Sequence, residues 1–144
     1  MAGLVKGIAH TAYTVSDMEA SLKFYHDALG FERAFDIPDS KGNPWIVYVH
    51  AGRDQFIELF YGGENRIEYK DSNIGYSHLC LEVTDIYALA ENIEKAGYKL
   101  DSPPRFLESD NNWQAWVRDP DGNRIELMQM GEASLQNRYI REHT

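Results

Sequence analysis

The sequence predicts an α+β fold: two tandem βαβββ modules forming a curved mixed sheet with a metal-binding cleft. Three observations carry that expectation. The chain repeats itself at a shift of 68 positions, from residue 10 to residue 78. Each copy reads as a strand, a helix and then strands. Each copy also brings one histidine and, 48 residues later, one glutamate: His10 with Glu58 and His78 with Glu126. At the same shift Gly7 meets Gly75, Val15 meets Val83 and Asp17 meets Asp85, and Trp45 meets Trp113. Ile57-Glu58-Leu59 falls on Ile125-Glu126-Leu127, and Gly63-Glu64 on Gly131-Glu132. A fixed period of this kind marks two copies of one supersecondary unit.

In the first copy, Ile8 to Val15 is a short β-type run. Ser16 and Glu19 have the spacing of a capping box, opening a helix over Asp17–Leu29 with Met18, Leu22, Tyr25 and Leu29 on one face. Gly30 suits its C-terminal stop. Strands follow near Glu32–Asp36, Trp45–His50 and Gln55–Tyr61, with turn residues across Pro38–Pro44. In the second copy the strand is Tyr76–Val83. The helix is Asp85–Ala96, with Ile86, Leu89, Ile93 and Ala96 facing inward and Gly97 ending it. Strands follow near Asn112–Arg118 and Asn123–Gln129, joined by the hairpin turn Asp119-Pro120-Asp121-Gly122. The modules are therefore placed at residues 1–64 and 75–132, with a polar linker at 65–74 and a tail at 133–144, for which a helix is one reading.

Composition bounds the function. A chain of 144 residues, 43% apolar and 26% charged, is of ordinary domain size. Its net charge of −9 offers no basic patch to neutralise phosphates, which argues against nucleic acid and anionic membranes. The single cysteine, Cys80, forms no intrachain disulfide and fits a reducing compartment. The N-terminal stretch Met1–Lys6 has no apolar run long enough for a signal peptide, and no run reaches membrane-spanning length. A cytoplasmic protein acting on a small molecule is the expectation.

Strand alternation selects the cleft residues. Phe56, Glu58 and Phe60 share one face, with Ile57 and Leu59 behind. Arg124, Glu126, Met128 and Met130 share the matching face, with Ile125 and Leu127 behind. His10, Ala12 and Thr14 point together, as do His78, Cys80 and Glu82. A lone strand histidine or glutamate is usually a surface residue. A carboxylate between Ile and Leu, repeated at one spacing from a histidine, is different, because burying it unpaired is costly. His10, Glu58, His78 and Glu126 thus form the candidate metal set. Its nitrogen and carboxylate donors suit nickel, cobalt or zinc, and also manganese or iron. His26, His50 and His143 read as surface residues, and Cys80 as a small buried filler. Trp45 and Trp113 read equally as substrate platforms or core. Arg124 reads as a contact for an anionic substrate or as a surface ion pair.

These stretches resemble the vicinal oxygen chelate superfamily across roughly residues 7–132. The matches are Ile8-Ala9-His10-Thr11, Ser21-Leu22-Lys23-Phe24-Tyr25, Leu29-Gly30-Phe31, Phe56-Ile57-Glu58-Leu59, Gly75-Tyr76-Ser77-His78 and Asp119-Pro120-Asp121-Gly122-Asn123-Arg124-Ile125-Glu126-Leu127. The set His10, Glu58, His78, Glu126 is similar to that of bacterial-type glyoxalase I (lactoylglutathione lyase). Ring-cleaving extradiol dioxygenases and fosfomycin-resistance transferases lack the glutamate matching Glu58, and methylmalonyl-CoA epimerases usually have glutamine there. Bleomycin-sequestering resistance proteins, the non-enzymatic alternative, typically lack metal ligands. The resemblance implies a divalent-metal-dependent isomerisation of a thiol hemithioacetal through an enediolate, with Glu126 as the base and Glu58 able to take that role from the other side. It also implies a homodimer in which one chain supplies His10 and Glu58 and its partner His78 and Glu126. Two positions depart from the family. The arginine expected four residues after the first histidine is Thr14, and the asparagine expected four after the first glutamate is Gly62. Both usually anchor glutathione, so the metal chemistry transfers better than the thiol specificity.

Overall fold

Alternating strands and amphipathic helices build the same four-stranded mixed sheet twice in the computed structural model. It describes residues 4–143; Met1–Gly3 of the N-terminal stretch and Thr144 of the tail lie outside the described residues. The first sheet consists of β1 (His10–Thr14), β2 (Glu32–Pro38), β3 (Pro44–Gly52) and β4 (Gln55–Phe60), with α1 (Met18–Asp27) between the first two. The second consists of β5 (Leu79–Glu82), β6 (Leu100–Leu107), β7 (Asn112–Arg118) and β8 (Arg124–Met130), with α2 (Ile86–Lys95), and α3 (Leu135–His143) follows. The spatial orders are β1-β4-β3-β2 and β5-β8-β7-β6. In each, the first strand runs parallel to the last and the other pairs are antiparallel. The chain divides into two compact units, Met1–Arg66 and Ile67–Thr144.

The 68-residue shift holds at the level of strand register. Thr11 pairs with Ile57 as Leu79 pairs with Ile125, and Tyr48 lies opposite Glu58 as Trp116 lies opposite Glu126. Each unit buries the odd-numbered face of its last strand. Ile57 and Leu59 join Val47, Val49, Phe24 and Tyr25, while Ile125 and Leu127 join Ala115, Val117, Ile86 and Ile93. The duplicated glycines Gly63 and Gly131 are explained by close approach. A Cβ on Gly63 would lie 2.9 Å from the Val15 backbone, and one on Gly131 would lie 2.4 Å from the Asn111 carbonyl oxygen.

Several elements differ from the sequence reading. Asp17, not Ser16, caps α1, accepting from the Ala20 amide at 3.0 Å. Asp85 caps α2 in the same way, accepting from Tyr87 and Ala88. The buried face of α1 is Met18, Ser21, Phe24 and Tyr25, with Leu22 and Leu29 only half-buried. No strand is expected from the sequence between Gly97 and Asn112, yet β6 occupies Leu100–Leu107. Its Pro103 and Pro104 are tolerated because β6 is an edge strand, and its register slips around them. The tail does form a helix, capped by buried Ser134 and tied to the second sheet by the Leu135 amide donating to the Asp110 carbonyl.

Candidate metal centre

Each unit gathers one imidazole and one carboxylate on the face opposite its core. In the first, His10 opens β1 and Glu58 lies on the adjacent β4, with Nε2 and Oε2 3.4 Å apart. In the second, His78 immediately precedes β5 and Glu126 lies on β8, at 3.0 Å. Both carboxylates are 9% exposed, whereas the histidines are more open. The parallel pairing of first and last strand causes this. It sets residue 10 against residue 56, so the side chain two further along β4 shares its face and reaches back to the imidazole.

The carboxylates are held by different donors. The Tyr48 hydroxyl, directly across on β3, donates to Glu58 Oε1 at 2.7 Å. That bond to Glu58, ahead of burial, holds the phenol above its ordinary pKa. Trp116 occupies the matching place on β7 and has no hydroxyl, so Gln114, one diagonal step away, donates its amide to Glu126 Oε1. Each glutamate therefore has one oxygen engaged by the sheet and the other turned to the histidine. His78 is fixed further, because its Nδ1 lies 2.9 Å from the Ser77 hydroxyl, which in turn lies 3.2 Å from the Tyr69 hydroxyl. An aromatic ring packs edge-on against each imidazole: Tyr48 on His10 at 5.8 Å and Trp116 on His78 at 4.9 Å.

A borderline cation fits these donors. An imidazole nitrogen and a free carboxylate oxygen converge in each unit, and metal-binding histidines commonly have the second ring nitrogen hydrogen-bonded, as His78 does. Two donors per unit are half of a four-coordinate set. Among the described residues no three of His, Cys, Asp and Glu come together in a metal-holding group.

Other candidates fall outside these pairs. His26 is exposed and pairs with Asp27. His50 faces the Arg53 carbonyl and the Phe56 ring, and His143 stacks on Tyr139 in α3. Trp45 packs edge-on to Phe60, and Trp113 packs between Phe106 and Tyr87. The aromatics beside the histidines are instead Tyr48 and Trp116. Cys80 is exposed rather than a buried filler and lies across from Glu126. Partial burial of its thiol, then the Glu126 carboxylate, pushes its pKa up to about 12. Tyr48, Gln114 and Ser77 were missed in the sequence. Antiparallel register across the β3–β4 hairpin was the one signal that could have pointed to Tyr48.

The family model for the glyoxalase/bleomycin resistance protein/dioxygenase superfamily matches residues 7–127. A probable lactoylglutathione lyase from Synechocystis sp. is 34% identical over 128 residues, covering 85% of this chain and 94% of that protein. A probable chloroplastic lactoylglutathione lyase from Arabidopsis thaliana is 30% identical over 125 residues, but the chain spans only 35% of that longer relative. Among solved structures, glyoxalase I from Zea mays superposes with a TM-score of 0.70 at 26% identity, covering 87% of this chain and 45% of that one. No helix among the described residues is long and apolar enough to cross a membrane. Two βαβββ units, each with its histidine–glutamate pair, thus coincide with a family match over most of the sequence, and the chain belongs to the glyoxalase/bleomycin resistance protein/dioxygenase superfamily.

Proposed function

We propose that this protein is a divalent-metal-dependent lyase of the glyoxalase I type, isomerising a small hemithioacetal or related carbonyl compound through an enediolate. The observation that carries the reading is the duplicated pair: an imidazole Nε2 beside a carboxylate Oε2, at 3.4 Å in one unit and 3.0 Å in the other. His10, Glu58, His78 and Glu126 would hold the cation, nickel, cobalt or zinc by donor type, with manganese and iron also compatible. The resemblance favours a cytoplasmic homodimer in which the first module of one chain meets the second module of its partner. When bound, the cation supplies Lewis-acid stabilisation of negative charge developing on the substrate oxygens.

The remaining steps belong to the chain. Glu126 takes the proton from C1 of the hemithioacetal and returns it at C2. The C1 hydroxyl proton passes to the C2 oxygen, so the product is a 2-hydroxy thioester and the carboxylate is regenerated. Glu126 lies in a water-poor site where a carboxylate serves as a general base, and the amide of Gln114 aims it. Glu58 is the alternative base on the other face of the substrate. Thr14 and Gly62 stand where the family's glutathione anchors usually are, so turnover of the glutathione adduct is expected to be poor or absent.

The test is metal analysis joined to turnover of methylglyoxal adducts of several thiols. Glu126→Gln keeps substantial metal, because an amide oxygen still coordinates, and loses turnover. Normal turnover by the metal-loaded variant overturns the base assignment. A glutathione adduct processed at kcat/KM of ~10⁴ M⁻¹s⁻¹ or more overturns the thiol assignment.

A further inference from the structure

The repeat breaks at one position beside the second histidine. Two residues before Glu126 stands Arg124; the matching residue before Glu58 is Phe56. Phe56 packs at 6.1 Å from the rings of both Phe35 and Tyr48, so the fold has no need of a cation there. Arg124 is instead clamped between two rings, its guanidinium carbon 4.5 Å from the Tyr69 centroid and 4.6 Å from that of Trp116. Both rings lead to His78. Trp116 packs edge-on against it, and Tyr69 reaches it through Ser77.

Ring clamping covers the faces of a guanidinium and leaves its N–H edge for a planar anion. Among the described residues its ion-pair partner is Asp71, 4.0 Å from Nη1 on a side chain 96% exposed. Such a surface pair is weak and easily displaced. Arg118, the cross-strand neighbour on β7, does not compete, being bound to Asp101 at 2.6 Å. In a chain of net charge −9, a half-buried arginine held this way beside a candidate catalytic pair calls for a ligand.

We infer that Arg124, clamped by Tyr69 and Trp116, is an oxyanion subsite that receives a carboxylate or phosphate carried by the substrate. Residues two apart on a strand are about 6–7 Å apart. An oxyanion on Arg124 therefore belongs a few bonds from a carbon served by Glu126; this placement rests on the lyase reading above, while the subsite itself rests on the clamp. Its substrate is a hemithioacetal whose thiol or carbonyl part ends in an oxyanion.

A binding experiment separates the two ideas. The Trp116 indole N–H resonance of metal-free, ¹⁵N-labelled protein is followed on titration with inorganic phosphate, acetate and uncharged acetamide. A saturable shift is expected with an anion and none with acetamide. Arg124→Gln abolishes it, and Arg124→Lys weakens it, because an ammonium keeps the charge without the planar fork. Saturation by phosphate alone supports a phosphate ester ligand, and by acetate alone a carboxylate. An unresponsive Trp116, or an Arg124→Gln protein that still folds by circular dichroism and responds like wild type, overturns the subsite.

A turnover arm then compares methylglyoxal adducts of mercaptoacetate and 2-mercaptoethanol. Wild type prefers the anionic adduct in kcat/KM, and Arg124→Gln reduces that preference about tenfold, the equivalent of one charged hydrogen bond. An unchanged preference overturns the placement beside Glu126. If neither adduct turns over while the anion shift and its loss in Arg124→Gln persist, the lyase reading fails and the subsite stands.

Discussion

Tyr48→Phe removes one hydrogen bond and little else. The phenol donates to Glu58 Oε1 at 2.7 Å, and the other oxygen of that carboxylate lies 3.4 Å from His10 Nε2. Phenylalanine keeps the ring, its stack on Phe35 at 4.5 Å and its edge contact with His10 at 5.8 Å, so no cavity opens. A hydrogen bond to a charged acceptor contributes roughly 1.5–3 kcal/mol. Tyr48 is half-buried, so water replaces part of that, and the net loss is about 1–2 kcal/mol. For a chain of this size that lowers Tm by roughly 2–8 °C. The change also frees the carboxylate to swing, which should weaken divalent-cation affinity about 10–100-fold. Calorimetry of the metal-stripped protein measures the first effect, and competition with a chromophoric chelator the second. A Tm within about 1 °C of wild type together with affinity within about twofold would show that Glu58 does not depend on the phenol.

Gly131→Ala sets a Cβ 2.4 Å from the Asn111 carbonyl oxygen and should cost about 1–3 kcal/mol in denaturant unfolding. Gly7→Ala meets nothing within 4 Å and should be near neutral; equal effects would refute the close-approach account. Asp39 accepts from the Asn43 side chain and from the Asn43 and Lys41 amides, which holds its carboxyl below the ordinary 3.8. A depressed folded value means the turn's contribution is present above 3.8 and lost as pH falls through the folded value. The Asn43 amide resonance should therefore titrate with a midpoint below 3.8, and a midpoint at or above it contradicts these bonds. The proposed exchange between chains is tested by co-refolding a His10→Ala/Glu58→Ala chain with a His78→Ala/Glu126→Ala chain. Half the dimers would then be mixed with one intact set of two, recovering about a quarter of wild-type metal. Recovery of none, or a monomer by sedimentation, argues against shared sites.

Much of this was readable from residue order because the duplication reports register. Two strands copied at one shift must pair alike, so His10–Glu58 and His78–Glu126 could be named without coordinates. What stayed hidden depends on cross-strand neighbours and edges. Tyr48 and Gln114 act on the glutamates across a hairpin, one directly and one diagonally, and only a known register tells those apart. The prolines of β6 disguised an edge strand, where a missing amide costs no ladder bond. The α1 cap moved by one residue because Asp17 offers the same acceptor as Ser16 from the position where the backbone is already extended.

The informative comparison is where two copies of one backbone disagree. Opposite the glutamate stands a phenol in one unit and an indole in the other, so one carboxylate is held from straight across and the other from the diagonal. Two residues before the glutamate stands an apolar ring in one unit and a clamped cation in the other. Duplication alone would yield two equivalent carboxylates and no preference between them as bases. Moving a proton from one carbon to its neighbour needs a bound substrate with a fixed direction. On the proposed reading a cation on only one copy would supply that direction, because an oxyanion on Arg124 would present the adjoining carbons to Glu126 rather than to Glu58. On the proposed reading, the divergence at Phe56 and Arg124 is what would give a symmetric ligand set one preferred base.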